Sequence, residues 1–196
     1  MLKDKNIGFA ITGSFCSMDD MLEVLKQLVK ESKNVYVFVS EKVLTCDNRF
    51  NSASELMGKI EAITKQAVVK DIVEAEMFGP KIPLDAVMVY PCTSNTLGKF
   101  VNSINDNAVT MACKSTLRNN KNIVLGIYTN DALSNSGKNI MQILNTKNFY
   151  VIPMYPDNLE KKPFSMIANK DKAIETLIQA LNDKQIQPVF EGEKHD

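Results

Sequence analysis

Short apolar runs recur along the chain, each followed by a polar turn and then by a stretch with helical spacing. The runs are residues 7–11, 35–39, 86–90 (within a strand expected over 85–90), 123–128 and 149–153. Continuous apolar character over so few residues predicts strands buried on both faces, as in a parallel sheet. Between them, Met21, Leu22, Leu25, Leu28 and Val29 fall on one helical stripe, as do Ile140, Met141, Ile143 and Leu144, and Ile174, Leu177, Ile178 and Leu181. Further helices are predicted from Ser52, from Asn95 to about Ser103, and from Asn107 to Asn120. Ser17-Met18-Asp19-Asp20 and Ser52-Ala53-Ser54-Glu55 have capping-box spacing, so Ser17 and Ser52 are expected to cap helices. Residues 67–69 read as a minor strand, 79–83 as a helix stop, and 129–138 and 156–163 as loops.

Strand–helix alternation through the whole chain predicts a doubly wound α/β fold with a parallel sheet, one domain over residues 1–190 with a polar tail over 191–196. Ligands in such folds bind outside the carboxyl ends of the strands, at the topological switch point. Those ends are Thr12-Gly13-Ser14, Ser40, residues 91–96 and residues 128–131, all rich in hydroxyl and amide groups. A helix N-terminus there favours an anion, Gly13 admits close backbone approach, and the serines and threonines offer hydroxyls. No Gly-Lys-Ser/Thr follows the glycine, and Gly8 and Gly13 have the wrong spacing for a dinucleotide fingerprint. A mononucleotide phosphate held by hydroxyls and N–H groups fits the set Thr12, Gly13, Ser14, Ser40, Thr93, Ser94, Asn95 and Thr96. Helix capping by the same hydroxyls is the alternative.

Composition narrows the classes. Basic and acidic residues both number 23, so there is no basic field for nucleic acid. No apolar run approaches the ~20 residues of a membrane span. The N-terminus lacks the apolar segment of a signal peptide, so a cytoplasmic protein is expected. Cys16, Cys46, Cys92 and Cys113 form no C-x-x-C pair, and the one histidine is His195 in the tail. No metal site is expected, nor catalysis by a Ser-His or Cys-His pair. Arg49 and Arg118 are the only arginines. Each marks either a place where a planar bidentate fork is needed or an ordinary surface or ion-pair position.

Ile11-Thr12-Gly13-Ser14 after the first strand, Ser40 ending the second, and Pro91-x-Thr93-x-Asn95-Thr96-x-x-Lys99 after a later one resemble the flavoprotein family, which includes flavin-containing cysteine decarboxylases and flavin prenyltransferases. Residues 8–14, 47–50, 79–85, 112–119, 129–133 and 161–163 more closely resemble its dipicolinate synthase B-subunit branch, from endospore-forming bacteria. The resemblance implies bound FMN, homo-oligomers built from trimers, a partner A subunit with a nicotinamide-type Rossmann domain, and action in the mother cell of a sporulating bacterium. The reaction implied is conversion of a dihydrodipicolinate-level intermediate, on a branch from lysine biosynthesis, to dipicolinate. The histidine that cysteine decarboxylases carry after the second strand is absent, and their Pro-x-Met-Asn clamp is replaced by Thr129-Asn130-Asp131-Ala132. Decarboxylation of a peptidyl cysteine is therefore not expected.

On this resemblance, Gly13, Ser14, Ser40 and Thr93 hold the FMN phosphate, and Asn95 and Thr96 orient the ribityl chain or ring. Arg49 and Arg118 pair with substrate carboxylates, with Lys114 as helper. Asp131 is either the proton acceptor or a turn cap. Lys99 is expected at an interface or on the helix surface. Two functions stay open: an oxidoreductase component, or a non-redox binding and assembly component that completes the active site of the A subunit.

Overall fold

The computed structural model describes residues 1–47 and 52–192. Its first half runs β1 (Asn6–Ile11), α1 (Met18–Glu31), β2 (Asn34–Val39), α2 (Glu41–Thr45), α3 (Ala53–Thr64), α4 (Ile72–Glu76), β3 (Ala86–Cys92), α5 (Ser94–Val101) and α6 (Ala108–Arg118). The second half is β4 (Asn122–Thr129), α7 (Gly137–Leu144), β5 (Phe149–Val151), β6 (Met154–Asn158), β7 (Lys162–Ala168) and α8 (Ala173–Ala180). The strands form a seven-stranded sheet in the order β2-β1-β3-β4-β7-β6, with β5 also paired to β4. The pairs β1/β2, β1/β3, β3/β4 and β4/β5 are all parallel.

Alternate strand residues feed two cores. Ile7, Phe9 and Ile11 of β1 and Met88 and Tyr90 of β3 face α1, α3 and α8. Ala10, Val87, Val89, Leu125 and Ile127 face α5, α6 and α7. This period of two, with both faces covered, is why the strands read as continuous apolar runs. Gly126 is required by packing. A Cβ there would lie 2.2 Å from Tyr90 Cδ2, so the Tyr90 ring rests directly on the β4 backbone.

From β1 the chain steps out to β2, then crosses back to place β3 on the other side of β1. The reversal makes β1/β3 the switch point and opens a crevice between their carboxyl ends.

Three local expectations change. Residues 67–69 supply a single parallel bridge, Phe38 to Val69, at the β2 edge. Residues 156–163, expected as loop, belong mostly to the β6–β7 hairpin, which pairs antiparallel to itself and to the end of β4, so the sheet is mixed at one side. Pro156 and Pro163 hid these strands, because proline lacks the ladder N–H and is confined to strand edges and irregularities. Finally, Ser52 forms the expected capping box with Glu55, but Ser17 makes no side-chain cap. Its hydroxyl instead meets that of Ser14 at 2.9 Å.

Glu191, at the start of the expected tail, is tied to β6, its N–H donating to Met154 O at 2.7 Å.

Candidate functional site

The carboxyl ends of β1 and β3 are stapled together. The Thr12 hydroxyl donates to Pro91 O at 2.7 Å and accepts from the Thr93 N–H at 3.0 Å. Thr93 then caps α5, its Oγ1 accepting from Thr96 N–H at 3.4 Å. This explains the polar exit from a fully buried strand. Thr12 holds the two loops in register, and Thr93 turns the chain into a helix whose first N–H groups face the crevice.

Two adjoining cavities open there. The first, of about 510 Å³, is lined by Thr12, Gly13, Ser40, Thr93, Asn95 and Thr96, together with Phe15, Glu41, Lys42, Lys99, Asp106 and Asn107. The second, of about 440 Å³, is lined by Gly13, Ser14, Cys16, Thr93, Ser94, the end of β4 and Asp157, Lys162 and Ser165 of the hairpin. Gly13, Phe15 and Thr93 belong to both walls. All eight residues of the mononucleotide set therefore line one cavity or the other.

Ser40 is distinctive. It is the N-cap residue of α2, yet its side chain makes no cap bond. Its Oγ is buried and has no partner among the described residues. A buried hydroxyl left unpaired costs about 1–3 kcal/mol, and Ser40 differs from the other such hydroxyls, Ser32 and Thr116, in lining the first cavity. Gly13 complements it. A Cβ at Gly13 would project between Lys42 Cβ at 3.5 Å and the Phe15 ring at 3.7 Å, narrowing the cavity.

Two lysines complete this wall, and neither was expected there. Lys42, two residues after Ser40, is exposed at the mouth and makes no ion pair among the described residues. Lys99 lies in the wall and is held by Asp106, with Nζ–Oδ distances of 2.8 and 2.7 Å. Asn95 and Lys99 are four residues apart on α5, hence on one face, and that spacing was the available signal. Lys99 thus faces the crevice rather than serving only the helix surface.

Asp131 belongs to a turn. Its carboxylate accepts the Thr129 hydroxyl and, at 2.9 Å, the Ser136 hydroxyl. Its carbonyl accepts the Ser134 and Ser136 N–H groups, both at 3.1 Å. It lines neither cavity. Arg49 lies outside the described residues. Lys114 and Arg118 sit roughly 10 and 16 Å along α6 from Asn107, the cap residue at the first cavity. Arg118 lines a separate depression with Lys114, Glu76, Pro80 and Met111. The structure thus brings Lys114 and Arg118 together in that depression and places neither at the two crevice cavities.

Beneath the second cavity, Tyr128 hydrogen-bonds to the buried Tyr90 hydroxyl and donates to Ala168 O at 3.2 Å. Burial pushes both phenols far above their ordinary pKa, so both remain neutral. Burial likewise raises the Cys92 and Cys113 thiols, leaving them inert core groups.

Comparison with known proteins agrees with this geometry. The Flavoprotein family model matches residues 1–184. The B subunit of dipicolinate synthase from Bacillus subtilis (strain 168) is 42% identical over 189 residues, covering 96% of this chain and 94% of that protein. The crystal structure of the dipicolinate synthase B subunit from Bacillus halodurans superposes with a TM-score of 0.90 at 43% identity, over 100% of both chains. The FMN-dependent cysteine decarboxylase SpaF shares the fold, with a TM-score of 0.68 at 21% identity over 92% of this chain and 99% of that one. A crevice at the β1/β3 switch point, a matching family profile along nearly the whole chain and two relatives above 40% identity lead to one conclusion: this chain belongs to the Flavoprotein family.

Proposed function

We propose that this chain is the B-type component of a dipicolinate-forming oxidoreductase and that it holds FMN in the first cavity. The carrying observation is the buried Ser40 hydroxyl at the wall, without a partner among the described residues. In this reading Ser40, the α5 N-terminus and Lys42 bind the phosphate, and Gly13 leaves the room it needs. Asn95 and Thr96 orient the remainder of the cofactor. Lys99, fixed by Asp106, sets the positive end of the wall. Bound FMN supplies a two-electron acceptor. Turning a dihydropyridine dicarboxylate into the aromatic pyridine releases two electrons and two protons, so acceptor and substrate must lie side by side, and the two cavities adjoin. The relatives' designation as B subunits supports a partner A subunit. The expected setting is the cytoplasm of a sporulating mother cell.

A second reading, a non-redox component that completes the active site of the A subunit, is favoured by one observation. Asp131, the carboxylate expected to accept a proton, is bound into a turn.

The discriminating experiment is dipicolinate formation by the A subunit alone, this chain alone and both together, each with and without FMN. The first reading predicts formation only with both chains and FMN. Full formation by the pair after FMN is stripped and not restored would select the second reading.

A further inference from the structure

The hairpin wall of the second cavity carries an ion pair with unused valences. Lys162 Nζ meets Asp157 Oδ2 at 2.6 Å, and the Ser165 hydroxyl reaches the same oxygen at 3.3 Å. Asp157 Oδ1 has no hydrogen bond among the described residues. An ammonium carries three protons, and only one is used here. The pair therefore offers the cavity one carboxylate oxygen beside two N–H donors. Lys162 is about half exposed (53%) and Asp157 is more enclosed (25%), which places the donors toward the opening and the acceptor deeper. The hydroxyls of Ser14 and Ser94 and the amide of Asn130 complete a polar wall, and among the described residues no second cation lines it. At about 440 Å³ the space is within the usual size of a small-molecule site, about 300–1,000 Å³.

We propose that this second cavity is a substrate site for a small ring dicarboxylate in which a ring N–H stands beside a carboxylate. Lys162 takes the carboxylate and Asp157 Oδ1 accepts the ring N–H. This deepens the oxidoreductase reading and rests on it for the class of substrate. It also carries a consequence for release. Aromatisation removes the ring proton, and the pyridine nitrogen then presents a lone pair to the Asp157 carboxylate. An acceptor facing an acceptor is unfavourable, so the aromatic product is held less tightly than a ring that still bears N–H. Product discrimination is thus built into Asp157, while the grip on the carboxylate belongs to Lys162.

The test is calorimetric titration of the whole chain, with and without FMN, using two probes. Piperidine-2,6-dicarboxylate carries a ring N–H, and pyridine-2,6-dicarboxylate does not. The wild type is expected to bind the piperidine at least tenfold more tightly. Lys162→Gln should weaken both probes about tenfold or more. Asp157→Asn should erase the preference between them, because an amide both donates and accepts. FMN affinity, measured on the same samples, should be unchanged in both variants and reports that they are folded. Equal binding of both probes by the wild type, or unaltered binding by Lys162→Gln, would overturn the proposal. Failure of the wild type to bind FMN while the probe pattern holds would sink the cofactor assignment and leave the second cavity standing.

Discussion

At the scale of single residues, Ser40 and Thr93 look alike in sequence but do different work. Both are hydroxyl residues at a strand's carboxyl end followed by a helix. Thr93 uses its oxygen to cap α5, whereas Ser40 leaves its own unpaired among the described residues. Their substitutions should therefore separate. Ser40→Ala is expected to leave the melting temperature unchanged or slightly raised, since it removes an unsatisfied buried group. It should weaken FMN binding about tenfold or more, the loss of a hydrogen bond to a charged group. Thr93→Val should weaken FMN binding and also lower stability by about 1 kcal/mol, the usual cost of a lost N-cap. Thermal melts paired with FMN titrations check both. Gly126→Ala should be severe. Its methyl meets the Tyr90 ring at 2.2 Å, and overpacking of this kind costs about 1–3 kcal/mol or more, read from denaturant midpoints.

The hydroxyl set was legible in the sequence because its members follow buried strands directly. Which member would be free was not legible, since that depends on which backbone N–H each oxygen meets in three dimensions. Asp131 shows the same limit. Its spacing to Thr129 and Ser136 describes a turn, but only the folded loop shows both hydroxyls closing on its carboxylate.

At the scale of elements, α3 and the β6–β7 hairpin are informative in opposite ways. The α3 start was readable because a capping box is local chemistry, with Ser52 and Glu55 three residues apart. The Ser52 N–H and hydroxyl hold the Glu55 carboxyl below its ordinary pKa. A folded pKa below the unfolded one gives stability that is present above the ordinary carboxylate range and lost as pH falls through the lower, folded value. Acidification from neutral pH should thus weaken the start of α3, and Glu55→Gln should remove that part of the dependence. Amide exchange at Ala53–Glu55, followed from about pH 6 downward, measures it. The hairpin escaped the sequence because its evidence is non-local. β7 is a strand through pairing with Tyr128 and Thr129, far earlier in the chain. Its outer residues Lys162, Pro163 and Phe164 are exposed, so no apolar alternation announced it. Two of the charged groups that line the second cavity, Asp157 and Lys162, were lost to view with it.

At the scale of the whole molecule, the doubly wound architecture was legible because strands and helices alternate along the chain, whereas the strand order β2-β1-β3-β4-β7-β6 rests on pairings that only the folded sheet shows. Assembly is expected through resemblance alone. The surface now adds a physical reason to expect it. Leu133, Leu159 and Phe164 are large apolar side chains about half exposed, on the hairpin and the turn beside it. The Leu133 N–H donates to Phe164 O at 3.0 Å, so those two residues adjoin. Such a patch beside the second cavity favours a protein contact. Sedimentation should show a homo-oligomer built from trimers, and Phe164→Glu should shift it toward smaller species. An unchanged distribution for Phe164→Glu would place the contact elsewhere on the surface.

The oxidoreductase reading depends on whether the crevice between β1 and β3 takes a flavin mononucleotide. Direct titration of the purified chain with FMN, followed by flavin absorbance and fluorescence, addresses this. Saturable binding of one FMN per chain is expected, weakened about tenfold or more by Ser40→Ala at unchanged melting temperature. A colourless protein that takes up no added FMN, or one whose FMN affinity is indifferent to Ser40→Ala, would contradict it.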